Sequence, residues 1–252
     1  MKKYLLVVLS ILFLASTASA TVVNPSGGGD GTEQNLQEIL NGITQGGSSS
    51  VNVFADFIGD DNDSYWKTGG TTISSATMII EIAGNSGINQ FGIFDSSNPT
   101  NKAVLFNGAA SAGHKVAFTF GDYSAYGAGL NLLIKDLTDP YALGVLYSFG
   151  SSTFGFYLND FYSDSALNSD KADHMVAYGS QGDMVMLPGA SDYTSWLPNE
   201  YVLAFEDVAG GDFDYNDMVL MVESVAPVPE PATLLLLGSG LVGLAFMRRR
   251  KK

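Results

Sequence analysis

An all-β fold, a single antiparallel β-sandwich of jelly-roll-like kind, is the architecture this sequence predicts, and three observations carry it. Between residues 51 and 223 the apolar residues fall in about a dozen short runs rich in Val, Ile, Phe, Tyr and Thr. Glycine, asparagine, aspartate and serine fill the gaps, at spacings of roughly 8–15 residues. No stretch there keeps a helical period long enough for the crossover helices of an α/β fold. The 252 residues are 46% hydrophobic, enough for one sizeable core, and the absence of cysteine excludes a disulfide scaffold and a zinc-thiolate domain. No fixed-period repeat points to a solenoid or propeller.

Residues 1–20 predict a secretory signal for the Sec machinery. Lys2 and Lys3 precede an apolar run, Leu5 to Leu14, broken only by Ser10, and Ala18-Ser19-Ala20 offers cleavage before Thr21. Residues 21–50 are expected to form a leader. Gly27-Gly28-Gly29 makes it flexible, Leu36, Ile39, Leu40 and Ile43 space out one short amphipathic helix, and Gly46 to Ser50 break the chain. The packed domain is expected over 51–226. Its strands are predicted at Val51–Phe57, Thr71–Ala83, Gln90–Phe94, Ala103–Phe106, Lys115–Phe120, Leu130–Ile134, Leu143–Phe149, Thr153–Leu158, His174–Tyr178, Met184–Leu187, Glu200–Phe205 and Met218–Glu223. In one of them Val116, Phe118 and Phe120 share a face opposite Lys115, Ala117 and Thr119.

Residues 227–252 carry a second address. Val228-Pro229-Glu230-Pro231 leads into an apolar stretch from Ala232 to Met247, then Arg248, Arg249, Arg250, Lys251 and Lys252. As a helix the stretch would span about 24 Å, slightly short of a ~30 Å hydrocarbon core, and flanking arginines can snorkel across the difference. The basic tail would stay in the cytoplasm, with residues 21–228 outside. These three parts in this order resemble the PEP-CTERM sorting signal of Gram-negative bacteria. The resemblance implies recognition by an exosortase, processing near Pro229-Glu230-Pro231, and transient membrane insertion before delivery to the cell surface or extracellular matrix.

Between the two signals, five lysines face 25 acidic residues, a net −20. Such a surface repels phosphate backbones, which excludes nucleic acid as a partner, and favours multivalent cations. The densest acidic segment is Asp212-Phe213-Asp214-Tyr215-Asn216-Asp217, after Gly210-Gly211. Ca²⁺ takes six to eight oxygens, and short Asp and Asn side chains on a turn can supply several. The expected structural Ca²⁺ ligands are Asp207, Asp212, Asp214, Asn216 and Asp217. An EF-hand is rejected, because Asp217 replaces the turn glycine and Met218–Val222 reads as a strand that carries Glu223 about 20 Å away. A second ion site is expected at Asp170 and Asp173, in a loop with Asp160, Asp164 and Asn168. Asp60-Asp61-Asn62-Asp63 reads as a solvated loop, and His174 as a structural histidine hydrogen-bonded beside Asp173.

The segment from Phe205-Glu206-Asp207 through the glycines to Met218-Val219 resembles the C-terminal signature of DUF4114 domains, found in secreted bacterial proteins. Asp173-His174-Met175 is also similar to what precedes that signature. The resemblance implies no mechanism. Catalysis is not expected: cysteine is absent, no G-x-S-x-G elbow occurs, and acidic residues are too abundant for any pair to stand out. Tyr123, Tyr126, Tyr193 and Trp196 fall in loops, where they either stack on sugars or cap the core. The expected role is a structural or adhesive surface protein of the biofilm matrix, or alternatively a carbohydrate-binding module for exopolysaccharide, with a glycan hydrolase behind both.

Overall fold

The computed structural model describes residues 33–69, 73–81, 87–108, 110–122 and 129–229. The expected signal peptide, the leader up to Thr32, Tyr123, Tyr126 and the sorting segment from Glu230 to Lys252 lie outside the described residues. Among the described residues no helix is long and apolar enough to cross a membrane.

In chain order the elements are helix α1 (Leu36–Ile43), β1 (Phe57–Ile58), the helical turn α2 (Asp60–Asp63), β2 (Trp66–Thr68), β3 (Ser74–Glu81), β4 (Phe91–Asp95), β5 (Asn98–Phe106), β6 (Lys115–Asp122), β7 (Leu130–Asp136) and β8 (Val145–Ser148). There follow β9 (Thr153–Leu158), β10 (Phe161–Tyr162), a 3-10 turn (Ser165–Leu167), β11 (Met175–Gly179), β12 (Met184–Val185), β13 (Thr194–Ser195), β14 (Glu200–Phe205), β15 (Met218–Glu223) and β16 (Val225–Pro227). One sheet runs β1-β11-β14-β15-β3-β6-β7-β8 and the other β16-β2-β9-β4-β5, with β10 added on β9. The pairings are antiparallel. The sandwich is therefore an eight-stranded sheet on a smaller one, not the paired four-stranded sheets of a jelly roll.

The alternating strands supply the core between the sheets. Phe91, Ile93, Phe154 and Phe156 of the smaller sheet meet Phe118, Leu203, Phe205 and Leu220 of the larger. Phe91 meets Phe205 edge-on at 5.6 Å, and Trp66 meets Tyr201 at 4.9 Å. The larger sheet is buried on its other face too. Val176, Tyr178, Val202, Ala204, Val219 and Met221 form a second core with Leu36, Ile39, Leu40 and Ile43 of α1. That explains why Met218–Val222 reads as an unbroken apolar run, since both faces of β15 are covered.

Helix α1, in the expected leader, is thus packed on the sandwich together with the segment after Val51. Asn35 closes a capping box: its Oδ1 accepts from the Glu38 amide at 2.9 Å, and Glu38 Oε2 accepts from the Asn35 amide at 3.2 Å. The predicted strand over Val51–Phe57 shortens to Phe57–Ile58. Asn52 and Asp56 divert the backbone there, Asn52 Oδ1 accepting from the Phe54 amide and Asp56 Oδ2 from the Asn52 amide. At the other end Ser224, at φ 59°, takes the chain from β15 across to β16 in the opposite sheet. The Val228 amide then donates to the Tyr65 carbonyl at 2.7 Å, so the sorting segment starts directly at the edge of the fold.

Candidate metal centre

Strands β14 and β15 pair with Phe205 opposite Met218, and the chain between them, residues 206–217, makes one compact turn. Phe213 and Tyr215 both take left-handed backbone conformations, φ 57° each, which bulky residues rarely adopt. Such strain persists only where packing over-determines it. Tyr215 is buried and its hydroxyl donates to the Asp173 carbonyl at 2.9 Å, while Phe213 packs partly buried on the second core. With the aromatic residues anchored inward, Asp212 and Asp214 converge on Glu206. One carboxylate oxygen from each of Glu206, Asp212 and Asp214 lies within 4.8 Å of the others.

Glu206 is held from both sides. Its amide donates to the His174 carbonyl at 3.0 Å, and a Cβ at Gly211 would strike its Oε1. Only glycine at 211 leaves that carboxylate in place. Its surroundings are negative: burial first, then Asp217, Asp212 and Asp214, push Glu206 up to about 8. Burial likewise pushes Asp214 up to about 6, with Asp212 adding to it, and Asp217 up to about 6, with Asp207 and Asp214 adding to it. Asp217 stands beside Glu206, and its negative charge is the largest of the neighbouring charges that raise Glu206. Glu206 Oε2 and Asp214 Oδ2 are buried without a hydrogen-bond partner. Buried polar atoms are rarely left that way, and oxygens crowded around one point are what a hard cation requires.

Of the residues singled out from the sequence, the structure brings Asp212 and Asp214 into the cluster. Asp217 joins them through Glu206 and also accepts from the Asp207 amide at 2.8 Å. Asp207 faces elsewhere, its Oδ2 accepting from Asn89 Nδ2 at 3.0 Å. Asn216 donates through Nδ2 to the Gln34 carbonyl at 3.0 Å and ties the turn to the segment before α1. Glu206 was not foreseen; its adjacency to Asp207 at the end of a strand was the available signal. Glu223 stands at the far end of β15, where it accepts from Ser75 Oγ at 2.7 Å and Lys115 Nζ at 3.3 Å.

The expected pair Asp170 and Asp173 is engaged in turn-making instead. Asp170 Oδ2 bonds His174 Nε2 at 2.9 Å and its Oδ1 accepts from the Ala172 amide. Asp173 Oδ1 accepts from the Met175 amide at 3.1 Å. His174 is structural, as its position suggested, but its carboxylate partner is Asp170; the buried ring stacks on Phe161 at 4.0 Å. In the same loop Asp164 caps the 3-10 turn through the Ala166 amide and accepts from the Tyr65 hydroxyl. Asp60–Asp63 is not a solvated loop: it winds into α2 and buries Asp63 completely. Trp196 is also buried, its Nε1 donating to the Glu200 carbonyl at 2.9 Å, so of these two loop aromatics only Tyr193 is exposed.

Residues 141–225 match the domain of unknown function DUF4114, and residues 227–251 match the PEP-CTERM protein-sorting motif. The first match spans β8 to the start of β16 and so contains the whole 206–217 turn. No curated protein and no solved structure matches the chain.

Proposed function

We propose that this is an exosortase-sorted surface protein whose β-sandwich is locked by Ca²⁺ at the turn between β14 and β15, in a structural or adhesive role outside the cell. The sorting motif supports export through a membrane-anchored precursor. The observation that carries the metal is the convergence of Glu206, Asp212 and Asp214 within 4.8 Å, with buried oxygens that lack partners. Ca²⁺ would be held by these three, with Asp217 beside them, and its role is to neutralise a crowded turn rather than to activate a substrate. The turn joins two adjacent interior strands of the larger sheet, so ordering it stiffens that end of the sandwich.

Asp214→Asn tests this. The substitution should lower the melting temperature in Ca²⁺ by several degrees and leave it nearly unchanged, or higher, in chelator. Equal losses in both conditions would mean that Asp214 holds the turn by itself.

Sorting makes a separate demand. Residues 228–231 reach at most about 14 Å, so the sandwich would sit close to the membrane in the precursor. Deleting Arg248 to Lys252 should leave folding intact and retain or misdirect the protein, as followed by fractionation of membrane, surface and medium. Unchanged delivery would contradict the role given to the basic tail.

One observation favours glycan binding as a second reading. An open cleft of about 640 Å³ is lined by Lys115, Glu200 and Glu223 beside Leu187, Pro188 and Leu197. Polar groups next to apolar shelves suit a sugar chain. Retention on isolated exopolysaccharide should then fall in Glu200→Gln, and a wild-type protein that is not retained at all would remove the reading.

A further inference from the structure

A β-sheet ends in strands whose outer amides and carbonyls lack a ladder partner, and folds guard such edges with charge, proline or brevity. Of the four edges of the two main sheets, three are guarded in this way among the described residues. β1 is two residues long between Asp56 and Asp60, β5 carries Pro99 and Lys102, and β16 ends at Pro227. β8 closes the eight-stranded sheet with Val145-Leu146-Tyr147-Ser148, which holds neither charge nor proline. Its register shows which groups are open. The Phe149 amide donates to the Leu130 carbonyl at 3.0 Å, so Tyr147 and Val145, at alternate positions, also turn their backbone groups to β7. Leu146 and Ser148 turn theirs outward. The Ser148 carbonyl accepts from Asn101 Nδ2 at 2.8 Å, which leaves the Leu146 end of the strand as the open part.

Apolar side chains gather at the same place. Leu137, Tyr141, Leu143 and Val145 are all exposed, Tyr141 by 89% and Leu143 by 88%. Exposed apolar residues that cluster mark a surface of interaction. Charge is absent as well: from Pro140 to Asn159 the chain has no acidic or basic residue, in a domain of net −20. That contrast selects the occupant. A polyanion is repelled by the acidic faces, and a cationic partner is drawn to those faces rather than to an uncharged edge. Two copies of the domain repel each other over most of their surface, and least where both are uncharged. The open backbone groups call for an extended strand, and the copy's own β8 is extended, apolar and free of charge.

We propose that β8 pairs antiparallel with β8 of a second copy across a two-fold axis, which joins two eight-stranded sheets into one. The open groups fix the register. Leu146 must meet an outward-facing residue of the copy, and the Ser148 carbonyl is already taken. Leu146 therefore pairs with Gly144 of the copy, the next outward position, and Val145 lies on the axis opposite itself. Leu143 and Val145 are then covered. The contact uses the same patch on both copies, so it closes at two. It does not rest on the ion at the 206–217 turn.

The chain has no cysteine, so one introduced thiol reports the axis. In a non-hydrogen-bonded antiparallel pair the Cα atoms lie about 4.5 Å apart, within the span of a disulfide. Mild oxidation of the full chain in detergent should therefore yield covalent dimers of Val145→Cys. Ser148→Cys, on an exposed residue of the same strand, stands about 20 Å from its copy in this register and should not link. Sedimentation equilibrium in density-matched detergent should show a dimer for the wild type and a monomer for Val145→Lys, which sets two like charges opposite each other. Val145 is 52% exposed, so Val145→Lys should keep the wild-type circular-dichroism spectrum. Should it fail to fold, the two thiol variants decide the matter alone. A wild type that stays monomeric at its highest soluble concentration overturns the proposal and leaves the edge to a strand of another protein. A dimer that persists in Val145→Lys also overturns it and places the contact elsewhere in the chain. Linking through Ser148→Cys but not through Val145→Cys refutes the two-fold register.

Discussion

Stripped of divalent cations, the protein should lose stability steadily as pH rises from about 5 to about 8, and saturating Ca²⁺ should erase that loss. The sign follows from the direction of the shifts. Burial and neighbouring carboxylates raise Glu206 to about 8 and Asp214 and Asp217 to about 6, above their values in the unfolded chain. Over that window the folded state therefore holds more protons than the unfolded state, and the stability of folding falls with rising pH. Below the ordinary carboxylate range both states are protonated and the effect levels off. Ca²⁺ reverses the trend because it binds the ionised carboxylates and competes with the protons. At a hundred times its dissociation constant a ligand adds about 2.7 kcal/mol, which for a domain of this size raises the melting temperature by about 5–10 °C. Glu206→Gln should flatten the slope in chelator. The same falling slope in chelator and in Ca²⁺ would show that no ion reaches these groups.

Leu40→Ala should be among the most damaging single substitutions, at about 2–5 kcal/mol, or roughly 5–15 °C in melting temperature. Leu40 is fully buried on the outer face of the larger sheet, with Leu36, Ile39 and Ile43, over Val202, Val219 and Met221. Helix α1 is thus the lid of a second core. A chain beginning at Val51 would bare that apolar face and should aggregate, whereas one beginning near Thr32 should stay soluble. Thermal unfolding of Leu40→Ala within a degree of the wild type would mean that α1 rests on the sheet without stabilising it.

Much of the sheet architecture could be read from the residues, because strands such as β6 and β9 alternate or cluster in ways that have one packing solution. The layer beyond the sandwich could not. The helical spacing in 36–43 is visible, but it stands between glycine-rich segments, and only the tertiary structure shows that β14 and β15 need a cover on their second face. The acidic turn was visible as a string of oxygen donors. Which of them converge depends on the left-handed backbone at Phe213 and Tyr215, which composition does not reveal. Glu206 enters because antiparallel pairing returns the chain beside it; Asp207, one residue later, points to Asn89. Asp63 was hidden for a related reason: four polar residues in a row look solvated until a helical turn and a distant loop bury one of them.

The central claim is that the turn at 206–217 binds Ca²⁺, and calorimetric titration of the chelator-stripped full chain at about pH 8 measures it directly, beside Glu206→Gln. Saturable Ca²⁺ binding to the wild type and the loss of one equivalent in the variant are expected. A wild-type titration indistinguishable from that of Glu206→Gln would contradict it.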